Sequence, residues 1–130
     1  INHQDERGST PLLLTTYYGH AEVAQYLLDQ GAMVDAVDSS GNTALMGVCF
    51  KGYEAIVALL INAGANVNHV NSMGATSLIY AASFNKVVIA KLLLENGADI
   101  NVKDSRGNTA LDNAKMQEAH EMITLLAQYQ

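Results

Sequence analysis

Tryptophan is absent from this chain, and cysteine and proline occur once each, as Cys49 and Pro11. A single thiol excludes an internal disulfide, so the fold rests on packing alone; it suits a reducing compartment without establishing one. Only 6% of the residues are aromatic, although 49% are hydrophobic, which is ample for a core in a chain of 130 residues. Basic side chains are scarce, seven against thirteen acidic, for a net charge of −6 and a pI near 4.9. Nucleic-acid backbones and anionic membranes call for basic clusters, so neither is expected as a partner. No apolar run approaches the roughly 18 residues of a membrane span, and no signal peptide is visible.

What is present is repetition. The fragments Asp5-Glu6-Arg7-Gly8-Ser9-Thr10, Asp38-Ser39-Ser40-Gly41-Asn42-Thr43, Asn71-Ser72-Met73-Gly74-Ala75-Thr76 and Asp104-Ser105-Arg106-Gly107-Asn108-Thr109 recur every 33 residues without a slip in register. A period of this size marks stacked supersecondary units, each too poor in apolar surface to fold alone, and stability then sums over units and interfaces. Acidic excess is concentrated in the first unit: residues 5–37 hold five acids and one base. That charge either steers a basic partner or forms a solvated surface.

Within a unit each position has a physical task. Thr10, Thr43, Thr76 and Thr109 precede apolar runs, where a hydroxyl can accept from first-turn amides. Pro11 fits the first helical position, and Asp112 follows Thr109 at the spacing of a capping box. A short first helix, about 11–18 in the first unit, should end at Gly19 and Gly52, with Asn85 taking the left-handed backbone in the third. Glu118 stands there in the fourth, and a looser or differently shaped turn is expected. A second helix follows, its apolar residues at helical spacing: Val23, Leu27 and Leu28; Ile56, Leu59 and Leu60; Ile89, Leu92 and Leu93; Met122, Leu125 and Leu126. Gly31, Gly64 and Gly97 stop these helices, and the connecting stretches read as extended fingers with a tight turn at the tip.

Residues 8–35 (GSTPLLLTTYYGHAEVAQYLLDQGAMVD), 41–68 and 74–101 resemble the ankyrin repeat, whose pattern D-x-x-G-x-T-P-L-H-x-A-A…G-x-x-x-V…L-L-x-x-G-A-x-x-N lies on nearly the whole chain. The resemblance implies an all-α solenoid of stacked helix-turn-helix units with β-turn fingers. Its units are 5–37, 38–70, 71–103 and a C-terminal capping repeat, 104–130. Residues 1–4 align with repeat tails and are expected to close a preceding repeat. The motif's histidine is replaced by Leu13, Met46, Ile79 and Asp112, so apolar packing should substitute in the first three units. Its paired alanines survive only as Ala81-Ala82; Cys49 takes an alanine position and is expected to be a small buried residue rather than a nucleophile.

No chemistry is nominated. His3, His20, His69 and His120 fall at unrelated repeat positions, none at a metal-ligand spacing. No phosphate loop or strained serine elbow occurs. Catalytic, metal and cofactor residues are therefore all expected to be none. The resemblance instead implies recognition of a protein or peptide, by a monomeric array, through a concave groove and the finger tips. The alternative is a regulatory or targeting segment of a larger multidomain enzyme. The implied contact positions are the two residues before the turn glycine and the finger tips. On the helices these are Tyr17, Tyr18, Phe50, Lys51, Ser83, Phe84, Met116 and Gln117; the finger candidates include Arg7, Asn42, Met73 and Arg106. Four of the eight aromatics fall on those eight helix positions, with Tyr80 nearby. Such rings commonly anchor binding; the competing reading is that they lean on neighbouring repeats and complete the core.

Overall fold

The computed structural model describes residues 1–130 and contains eight α-helices and no strand. They fall into two compact units, Ile1–Asn66 and Val67–Gln130. The first unit holds α1 (Pro11–Tyr17), α2 (Ala21–Asp29), α3 (Ala44–Lys51) and α4 (Glu54–Asn62). The second holds α5 (Ser77–Ser83), α6 (Val87–Glu95), α7 (Ala110–Met116) and α8 (His120–Ala127). None exceeds nine residues, too short to persist alone in water, so each helix depends on its neighbours. In the first unit α1 packs on α2 and α3, and α4 on α2 and α3; in the second α5 packs on α6 and α7, and α8 on α6 and α7.

The first helix of every pair starts the same way. The Thr10, Thr43, Thr76 and Thr109 hydroxyls accept from the amides of Leu13, Met46, Ile79 and Asp112 at 3.1, 3.3, 3.2 and 3.1 Å. Thr10, Thr43 and Thr76 are buried, so these caps also satisfy polar groups that water does not reach. Asp112 returns the bond by accepting from the Thr109 amide, completing the capping box. Hydrogen bonding from the Thr109 backbone, then from its side chain, holds the Asp112 carboxyl below its ordinary pKa, with Lys115 and Lys103 adding smaller pulls. Met46 and Ile79 are buried where the motif's histidine would stand, so apolar packing does replace it there; Leu13 is only half-buried.

The helix ends close on backbone bonds that bring the chain into a left-handed residue. Gly31, Gly64 and Gly97 have φ of 94°, 91° and 90°, and the next residue donates back across the turn, Ala32 to Leu27, Ala65 to Leu60 and Ala98 to Leu93. The turn inside each pair uses the same closure, and here one expectation is corrected. Glu118 does not loosen the fourth turn. It takes φ 55°, the same as Asn85, because Ala119 donates to Ala114 and Glu118 to Lys115, as Lys86 does to Ala81 and Asn85 to Ala82. A side chain in this region costs about 1–2 kcal/mol. Glu118→Gly is therefore expected to stabilise the fold by about 0.5–1 kcal/mol once the added freedom of the unfolded glycine is subtracted. A urea-unfolding midpoint that does not rise would show the turn to be unstrained.

The finger tips are built from their first residue. Asp5, Asp38, Asn71 and Asp104 each accept two backbone amides through Oδ1: Arg7 and Ser9, Ser40 and Asn42, Met73 and Ala75, Arg106 and Asn108. An acceptor two residues ahead of the donor pins a tight turn, and it holds the tip residues Arg7, Met73 and Arg106 outward.

The second helices differ in what covers them. Ile56, Ile89 and Met122 are 2%, 1% and 0% exposed, but Val23, at the same repeat position, is 49% exposed. Periodicity marks the apolar face of α2 without supplying its cover, and Val23 stands on the part of that face left exposed.

Candidate functional site

In the first unit the aromatic pair at the end of α1 splits in role. Tyr17 and Tyr18 meet edge to face, ring centroids 5.4 Å apart. Tyr17 lies over α3 at Gly47, where a Cβ would be 3.4 Å from its ring. The Lys51 ammonium sits 4.9 Å from the Tyr17 centroid and 6.0 Å from that of Tyr53, within cation–π range. Tyr17, 37% exposed, thus partly completes the packing between α1 and α3, whereas Tyr18, 63% exposed, stands into solvent. Phe50 and Lys51 are also exposed and Asn42 is half-buried. Arg7 is exposed at its tip, and its carbonyl accepts from the Ser39 amide of the next finger at 3.0 Å. Tyr53, which would meet any side chain placed at Gly19, joins this cluster unanticipated by the contact positions.

In the second unit finger and helix residues converge. Met73 and Arg106 from two finger tips, and Phe84 at the end of α5, line one open cleft of about 190 Å³. Ala75, Ile79, Tyr80, Ser83, Asp104, Ser105 and Asn113 complete its wall. The fingers are tied by the Ser105 amide, which donates to the Met73 carbonyl at 2.9 Å. The Gln117 side chain donates through Nε2 to the Ser83 carbonyl and joins the ends of α7 and α5. Met116 is exposed one residue earlier and does not line the cleft. Tyr80 is half-buried, its hydroxyl accepting from Asn71 Nδ2 at 2.8 Å. Asn113 was not among the contact positions; it shares the repeat position of Tyr80, one helical turn ahead of the pair before the turn glycine, and that column was the signal.

Charge differs between the units, with seven acidic and two basic side chains in residues 1–66 and six and five in residues 67–130. No cluster of three histidine, cysteine or acidic side chains is placed to hold a metal ion, and no helix is long and apolar enough to cross a membrane. Cys49 is fully buried in α3.

The family model for ankyrin repeats matches the chain in three overlapping copies, over residues 1–71, 37–104 and 64–130. The chain belongs to the ankyrin repeat family. None of the curated proteins compared with it matches. Ankyrin repeats are in general protein–protein interaction modules and typically carry no catalysis. In this ankyrin repeat chain Tyr18, Phe50, Phe84 and Met116 at the ends of α1, α3, α5 and α7, and Met73 at a finger tip, are exposed.

Proposed function

We propose that this ankyrin repeat chain binds a protein or peptide partner with its finger tips and the concave face beside them, each unit presenting its own patch. The first patch comprises Tyr17, Tyr18, Phe50 and Lys51 with Arg7 and Asn42; the second comprises Met73, Phe84 and Arg106 with Met116 and Gln117. The observation that carries this reading is the cleft in which Met73, Phe84 and Arg106, spread over 34 residues of sequence, line one wall. Large apolar side chains that remain exposed beside polar fingers are what an interaction surface requires. The nearness of Tyr17 to Gly47 and the greater exposure of Tyr18 support reading Tyr18 as the anchor and Tyr17 as its support.

A protein retained by the wild-type chain should bind Tyr18→Ala and Phe84→Ala variants more weakly by over about 1 kcal/mol each, roughly fivefold, with thermal unfolding nearly unchanged. Unchanged affinity, or a loss of stability like that of a core truncation, would return these rings to the core.

A further inference from the structure

We infer that the cleft of the second unit takes an apolar side chain of a peptide together with a carboxylate next to it, the apolar group between Met73 and Phe84 and the carboxylate at Arg106. This rests on the recognition reading above and narrows it to a chemistry. At about 190 Å³ the cleft falls below the roughly 300–1,000 Å³ usual for cofactors and drug-sized ligands, and its openness suits one side chain entering from a longer chain. Met73, Ala75, Ile79, Tyr80 and Phe84 provide its apolar lining. Methionine adapts its shape to what it meets, and phenylalanine offers a rigid ring at little entropic cost.

The preference for a carboxylate comes from Arg106 at the rim. Arg106 is exposed, its amide is held at 2.9 Å by Asp104 Oδ1, and its guanidinium makes no hydrogen bond or ion pair. The one acid of the rim, Asp104, has Oδ1 engaged by its own finger, where it also accepts from the Asn108 amide at 3.0 Å. Tyr80 already accepts from Asn71, so its remaining capacity is its proton. Arg106 is the one cationic group among the cleft residues, and a guanidinium presents its donors in a fork matched to a carboxylate. A basic peptide finds its complement elsewhere: the excess of acid lies in residues 1–66, where seven acids face two bases.

The test uses the full 130-residue chain and two defined pools of ten-residue peptides. Both carry a central leucine or phenylalanine; its neighbours are Asp or Glu in one pool and Lys or Arg in the other. Wild type should retain the acidic pool about fivefold more than the basic one, the most that an exposed ion pair ordinarily adds. Arg106→Glu should abolish or invert that ratio, Arg106→Lys should reduce it, and Phe84→Ala should lower retention of both pools. Met73→Ala provides the same readout should Phe84→Ala fail to fold by circular dichroism. Equal retention of the two pools, lowered in both by Phe84→Ala, overturns the carboxylate assignment and leaves the recognition surface standing. Retention insensitive to Phe84→Ala and Met73→Ala, or no retention of either pool, overturns the cleft as a peptide site.

Discussion

Replacing Ile56 by alanine is expected to lower the free energy of unfolding by about 2–5 kcal/mol, and the same truncation at Val23 by less than about 0.5 kcal/mol. Both residues occupy one repeat position, in α4 and α2. Ile56 is 2% exposed and Val23 49%, so truncation of the first opens a cavity and truncation of the second removes surface already in water. Alanine is also the better helix former, which offsets part of the small loss at Val23. Urea unfolding of the two variants beside wild type measures the contrast. A Val23→Ala loss as large as that of Ile56→Ala would show that the outer face of α2 is covered in solution.

Gly8→Ala should cost about 2–4 kcal/mol, and Gly31→Ala only about 1–2 kcal/mol. Both glycines are left-handed, at φ 78° and 94°. They differ in what a Cβ would meet: Ser39 N at 2.8 Å for Gly8, nothing within 4 Å for Gly31. The Gly31 variant therefore measures backbone strain, and the excess at Gly8 measures the approach of neighbouring fingers, which the Ser39 amide closes by donating to the Arg7 carbonyl. Gly74 repeats the arrangement, with Ser105 N at 3.0 Å. Equal losses at Gly8 and Gly31 would mean that the second finger yields to the added methyl.

The features legible in the sequence are those decided by a few adjacent residues. Threonine caps, the Thr109–Asp112 box, the glycine stops and the Asp/Asn-led finger tips each close within one turn, so their residues announce them. Glu118 departs from the expectation because residue preference yields to a closure that the backbone of α7 imposes on whatever stands there. The exposure of Val23 is not legible in its helical spacing, because a 3.6-residue period reports which face is apolar and not whether a neighbour lies on it. At the site, the finger tips and Phe84 were legible as repeat columns. The unequal exposure of Tyr17 and Tyr18 was not, since Tyr17 lies against Gly47, 30 residues away. Nor was the Asn71–Tyr80 bond, which links a finger to a helix in one unit only.

One set of ties bears on how such a chain changes over generations. Asn2, Asp35 and Asn68 each accept, through a side-chain oxygen, the backbone amide of the residue 31 positions later: Met33, Asn66 and Asp99, at 2.9, 2.9 and 2.7 Å. Each tie asks only for a backbone amide at Met33, Asn66 and Asp99, so three unlike side chains serve it equally well. The donor of sequence information is the Asn/Asp alone. Gain or loss of a whole 33-residue unit preserves every remaining tie, whereas insertion of a single residue inside a unit moves the wrong amide into place and breaks one. A length change by complete units would keep this spacing of 31 residues, and a single-residue insertion within it would not.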